Sequence, residues 1–349
     1  MGDQMKQANK PARAVLAAVA LTGLAGLTAT ATAQSAVQMY GVLDVWAGRS
    51  QTTAAGPATQ VANSGGLQTS FWGFAGTEDL GGGLRTIFAL EGYILPDTGV
   101  GGRTPTDAMF ARNAYVGLQG SAGELKLGRV LNPLFVSTAL ANPFGGSIRL
   151  APLLNHAWAA PLRTVYGDTS WDNTLMYTAP AMAGLKVATY ASLGETAQGA
   201  SAHNLGATAN FDHGPWFATV SGQRVRIGPG MTSIGETEQK TWFAGGSYNA
   251  GVAKLFASLG GSNNVRPDSH TRTGQAGVSV PAGQGSVMVS WAHTRTGAPG
   301  LAATRRNTGA VGYDYFASKR TDLYVVVQTD KLSTANFAKT YAVGMRLKY

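Results

Sequence analysis

The chain has 349 residues, 27 Lys and Arg against 18 Asp and Glu for a formal charge of +9, and no cysteine. Without cysteine there are no disulfides, no thiol nucleophile and no thiolate metal site. The five histidines (156, 203, 213, 270, 293) form no i, i+3 or i, i+4 pair, so neither a metal site nor a cofactor is expected.

At the N-terminus, Lys6, Lys10 and Arg13 precede an apolar run from Ala14 to Leu27, and Ala31-Thr32-Ala33 follows before Gln34. A basic segment, a short apolar run and an A-x-A site are the parts of a secretory signal peptide. Residues 1–33 are expected to be cleaved, with a cut near Ala31 as the alternative. Losing Lys6, Lys10, Arg13 and Asp3 lowers the formal charge by two, to +7. No later stretch approaches the ~18 apolar residues of a membrane helix. A barrel strand needs none, because only every second residue faces lipid.

Strand-like runs follow between Gly, Pro, Asn and Asp punctuation. They fall near 37–49, 67–77, 83–93, 108–119, 122–130, 169–179, 184–194, 201–212, 215–226, 238–249, 251–262, 270–280, 284–296, 303–316, 320–331 and 337–349. Sixteen is an even number, as an up-and-down barrel requires if both termini lie on one side. Connections alternate in character. Tight turns at 78–82, 119–122, 180–184, 213–214, 250, 281–283 and 317–319 are interleaved with longer polar ones such as 50–66, 94–107 and 263–269. Short periplasmic turns and longer external loops are the expected asymmetry. The 47 glycines exceed the ~7% of average usage without a G-X-Y repeat, which suits many turns and strands with an open inner side.

Leu131 to Asp168 breaks the pattern: 38 residues without clean alternation, with Pro133, Pro143, Pro152 and Pro161 spaced along it. A connection this long inside a compact domain ordinarily has a function. In a barrel it is expected to fold inward and narrow the pore; a large external loop is the alternative. The final ten residues alternate without a break. Tyr341, Val343, Met345, Leu347 and Tyr349 share one face, and Ala342, Gly344, Arg346 and Lys348 the other. Successive strand side chains point to opposite faces, so this segment is apolar towards lipid and cationic towards a wet lumen. A half-buried strand of a soluble sandwich gives the same alternation. The expected fold is therefore all-β, a sixteen-stranded antiparallel transmembrane β-barrel with the 131–168 loop in its lumen.

Several segments resemble the Gram-negative general porins. They are Tyr40-Gly41-Val42-Leu43-Asp44, Gly76-Thr77-Glu78-Asp79-Leu80-Gly81-Gly82-Gly83-Leu84, Arg112-Asn113-Ala114-Tyr115-Val116-Gly117-Leu118 and Gly123-Glu124-Leu125-Lys126-Leu127-Gly128-Arg129, with Tyr177-Thr178-Ala179-Pro180 and the last strand. The resemblance implies a homotrimer in the outer membrane, its lipid-facing wall in contact with outer-membrane lipid. It implies a third external loop folded into each barrel and passive diffusion of small hydrophilic solutes and ions. It also implies that the terminal aromatic, here Tyr349 where the family usually has Phe, is read by the barrel-assembly machinery.

Selectivity in a pore follows width and lining charge. The family's third loop is usually acidic, whereas 131–168 carries one carboxylate, Asp168, against Arg149 and Arg163. Asn142-Pro143-Phe144-Gly145-Gly146 lacks the Glu of the family's Pro-Glu-Phe-Gly-Gly, and Phe71 and Ser170 occupy positions that are often basic. Arg129, just before the loop, is a constriction candidate, at a place where alternation fails and the strand ends or bulges. Arg85, Glu91 and Asp44 are lumen candidates by parity. Together these predict a weak anion preference. The apolar residues Phe144, Leu150, Leu153, Leu154, Trp158 and Leu162 are expected mainly to pack the loop against the wall. A substrate-specific channel for less polar or aromatic solutes is the alternative reading.

Other classes fit poorly. An enzyme would need a nucleophile, a base and an orienting group, yet there is no G-x-S-x-G and Ser201/His203 has no acidic third member. The glycines at 81–83 lack the Lys-Ser/Thr of a phosphate loop. A nucleic-acid partner is not expected of an exported chain with no basic run longer than Arg305-Arg306.

Overall fold

A computed structural model describes residues 36–51, 56–194, 203–226, 228, 231, 238–266 and 268–349. The expected signal peptide lies outside the described residues. In chain order the elements are β1 (Ala36–Ser50), β2 (Thr59–Ser64), β3 (Phe71–Gly81), β4 (Leu84–Leu95), β5 (Val100–Gly101), β6 (Asn113–Gly120) and β7 (Gly123–Leu131). Helices α1 (Pro133–Leu140) and α2 (Pro152–Trp158) come next. Then follow β8 (Ser170–Thr178), β9 (Leu185–Leu193), β10 (His203–His213), β11 (Trp216–Val225), β12 (Gln239–Asn249), β13 (Lys254–Asn264), β14 (Ser269–Ala282), β15 (Gly285–Gly297), β16 (Thr304–Phe316), β17 (Thr321–Leu332) and β18 (Phe337–Lys348).

Every long strand pairs antiparallel with its chain neighbours, and β1 pairs with β18 from Val42↔Lys348 to Arg49↔Tyr341. The sheet therefore closes, and closure leaves no unpaired edge in a solvent that cannot hydrogen-bond one. Leaving aside the short β2 and β5, sixteen strands form the wall, the number and order the alternation predicts. β17 shows why. Leu323, Val325 and Val327 are exposed on the outer face, while Asp322, Tyr324, Val326, Gln328 and Asp330 are buried on the inner one. β18 repeats the pattern, with Tyr341, Val343, Met345 and Leu347 outward.

Two strand starts differ from the sequence reading. Residues 67–70 and 108–112 are not strand, and 59–64, expected as loop, pairs with the second half of β1. The cause is Asp44. Its carboxylate accepts the backbone N–H groups of Gly66, Leu67 and Gln68, each at 2.9 Å. This pulls 65–70 out of the ladder before β3 rejoins β1 at Val42↔Phe71. The hydrophobic pattern cannot reveal a detour held by one carboxylate.

The 131–168 segment is also more ordered than its sequence indicates. Asn132 caps α1 through Leu134 N–H at 2.9 Å, and Pro133 and Pro152 open the two helices, where a missing N–H costs nothing. The segment bonds to polar residues on the inner face of the wall. Ser137 Oγ accepts from Thr219 and Ser221 hydroxyls, both at 2.9 Å. Gln328 donates to the Leu150 carbonyl at 3.1 Å. Leu134, Phe144, Leu150, Leu153, Leu154, Ala157 and Trp158 are buried with Trp46, Phe243, Met288, Tyr324 and Val326 of the wall. Leu162, expected with this group, is 36% exposed instead.

Candidate functional site

Arg129 lies on β7 where Gly128 takes φ +135° and the β7–β8 register shifts between Gly128 and Val130. The extra residue of this bulge is on β8, where Asp172 and Asn173, the latter with φ +50°, stand opposite Arg129 alone. The guanidinium donates to the Ala111 carbonyl at 2.6 Å, to Asp172 at 2.6 Å and to Asp168 at 3.0 Å. Asp168 closes the long connection with φ +74° and takes a second cation, Arg103 from the 96–112 connection. Arg103 donates to Asp168 at 2.9 and 3.1 Å and to Asp107 at 2.8 and 2.9 Å, with its guanidinium 4.5 Å from the Tyr93 ring centre. Burial by itself pushes both carboxyls up. The Arg103 bonds and charge, with Arg129 added at Asp168, outweigh it and hold both below the usual carboxylate range.

Arg149 and Arg163 differ from these. Among the described residues neither has an ion-pair partner. Both line a cavity of about 430 Å³ that Arg103, Asp107 and Asp168 also border, with Leu95, Ile148 and Trp158 among its apolar residues. Arg149 is exposed there, and Arg163 is partly exposed with its guanidinium 5.7 Å from the Tyr166 ring centre. Asp97, hydrogen-bonded to Ser64, is the carboxylate whose charge acts on Arg149. Arg129, Asp168 and Asp172 border an adjoining cavity of about 490 Å³. The structure thus brings Arg129, Asp168, Arg149 and Arg163 into one neighbourhood.

It does not bring the other three candidates there as pore charges. Asp44 is 0% exposed and fully occupied by the three backbone groups and the Tyr324 hydroxyl at 2.5 Å. Glu91 is buried and bonded to Tyr40, Arg112 and Asn113. Arg85 sits beside the tight turn before β4, six residues and roughly 20 Å along the strand from Glu91. Sequence reading missed Arg103 and Asp107, whose i, i+4 spacing carries no signal in a loop, and Arg112. Arg112 lies 4.0 Å over the Phe71 ring, so a cation returns beside the position where the porin pattern often has arginine. Also missed was Arg306, which bonds Asp330 at 3.0 Å and Asn155 of α2 at 2.5 Å.

A Gram-negative porin profile matches residues 16–335. The chain belongs to the Gram-negative porin family. Outer membrane porin protein 32 of Delftia acidovorans is 30% identical to this porin over 87% of each chain. An outer membrane porin protein of Bordetella pertussis is 27% identical over 97% of this chain and 99% of its own. Among solved structures, the anion-selective porin from Comamonas acidovorans superposes with a TM-score of 0.77 at 26% identity, covering 90% of this chain and 100% of that one. The trimer form of OmpT from Vibrio cholerae, 13% identical with a TM-score of 0.66, shares the fold. This porin is therefore an outer-membrane β-barrel channel, as its closed wall and lipid-facing apolar belt already indicate.

Proposed function

We propose that this porin passes small hydrophilic solutes and ions by passive diffusion with a weak anion preference, and that 131–168 forms its constriction. The supporting observation is the unequal state of the charges around the 430 Å³ cavity. Asp107 and Asp168 spend their lone pairs on Arg103 and Arg129, whereas Arg149 and Arg163 face the cavity without a carboxylate partner. A passing anion meets two cations with donors to spare. The relative from Comamonas acidovorans is named as anion-selective, which accords with this reading. Residues 1–33 act as the export signal, Tyr349 is presented to the barrel-assembly machinery, the assembly is a homotrimer, and the protein works as a channel rather than as an enzyme.

The test is the zero-current potential across a salt gradient in a planar bilayer. Wild type is expected to show an anion-selective sign, and Arg149→Gln with Arg163→Gln to move it towards the cation limit. An unchanged potential in the double variant would remove these arginines from the selectivity filter. Ile148 and Trp158 on the cavity wall favour a second reading, a site for solutes with an apolar part. Block of ion current by an added aromatic carboxylate, absent with acetate, would distinguish it from a general pore.

A further inference from the structure

The outer face of the barrel carries a row of cations that the channel does not use. Arg272 on β14 stands directly opposite Arg295 on β15, and Arg295 directly opposite Arg305 on β16. Directly opposed residues of an antiparallel pair share a face. That face is the lipid side, because Val287, Val289 and Trp291 precede Arg295 on it at every second position, all exposed. All three arginines are exposed, and among the described residues none has a carboxylate partner. Arg305 and its sequence neighbour Arg306 point opposite ways: Arg306 is buried against Asp330, and Arg305 faces out.

Three like charges side by side on a sheet are destabilising unless something anionic offsets them. Their height says what that is. Arg295 is four residues, about 13 Å, beyond Trp291. Arg272 lies 5.9 Å from the Trp242 ring, and Gly261 leaves room for it, since a Cβ there would come within 2.7 Å of its Nη1. Trp242 and Trp291 mark the upper edge of the apolar band, as aromatic girdles do. Guanidinium groups just above that edge, on the side of the longer connections, stand at headgroup level in the external leaflet. Arginine binds phosphate with forked donors.

We propose that Arg272, Arg295 and Arg305 form a docking row for the phosphate groups of anionic lipid in the external leaflet. The row fixes the lipid against the wall above the Trp242–Trp291 edge. Native mass spectrometry of the folded protein in detergent, titrated with diphosphorylated lipid A, tests it. Replacing all three arginines by Gln should weaken lipid binding about a hundredfold, since each basic side chain near an anionic surface contributes roughly fivefold. Unchanged single-channel conductance would certify the fold. Should the triple variant not fold, Arg295→Gln alone should lose about fivefold. A control lacking Lys254, Lys319 and Arg320 at the short-turn end should bind as wild type does. Retention of lipid within twofold by a folded triple variant, or equal loss in the control, would overturn the proposal.

Discussion

Arg103 illustrates how a single side chain sets the charge balance around a cavity that it borders with others. Its guanidinium satisfies two carboxylates at once, and bidentate charge-assisted bonds are the strong ones. Among the described residues, Arg103→Ala would leave Asp107 with no cation partner and Asp168 with Arg129 only, at a cost of about 1–3 kcal/mol of local stability. The zero-current potential should then move towards cations, opposite in cause but equal in direction to the loss of Arg149 and Arg163. The pH dependence follows from the sign of the shifts. Both carboxyls titrate below their unfolded value near 3.9, so the clamp is fully formed above about pH 4 and is lost as pH falls through the lower folded value. Wild-type selectivity should be flat from pH 7 to about pH 5. In Arg103→Ala the carboxyls lose the partner that held them down, and the same titration should begin at higher pH.

At the scale of the element, α2 is fastened by His156, which is 0% exposed between Thr294 at 2.7 Å and Thr308 at 2.6 Å. Thr308 donates onward to Asp330 at 2.6 Å. The chain is satisfied when neutral imidazole donates from Nε2 to Thr308 and accepts at Nδ1 from Thr294. Burial, with Arg306 and His293 adding repulsion, pushes its pKa well below the ordinary histidine value. A depressed histidine stabilises the folded arrangement above its unfolded pKa near 6.5, and that contribution is lost as pH falls towards the folded value. The 131–168 segment should therefore be cut faster by protease at pH 5 than at pH 7.5 in lipid-embedded protein. His156→Gln, which keeps a donor and an acceptor but cannot titrate in this range, should flatten the difference.

At the scale of the molecule, the barrel depends on one seam between the first and last strands. Gly41 and Tyr349 exchange both backbone hydrogen bonds at 3.1 Å, and the Tyr341 carbonyl oxygen of β18 lies 1.9 Å from where a Cβ on Gly48 would stand. A Cβ at Gly48 would collide with that backbone, so Gly48→Val should prevent closure. The variant should lack the heat-modifiable compact band of the wild type on gels, while Ala→Val changes on outward positions away from the seam should retain it.

The sequence by itself determined the sixteen wall strands, their faces and the odd character of 131–168. Each rests on a two-residue period that lipid outside and water inside impose on every strand independently. It also placed Arg129 at an irregularity, because a cation at the parity of Leu125 and Leu127 breaks the alternation there. Only the tertiary structure decided which charges are paired and which are left without a partner beside the cavity. Asp44, Glu91 and Arg149 look alike by parity or by loop position, yet the first two are sealed by partners 21 to 280 residues distant and the third faces the cavity without one. Periodicity reports the face a residue occupies; whether its charge is spent there depends on which remote donor arrives.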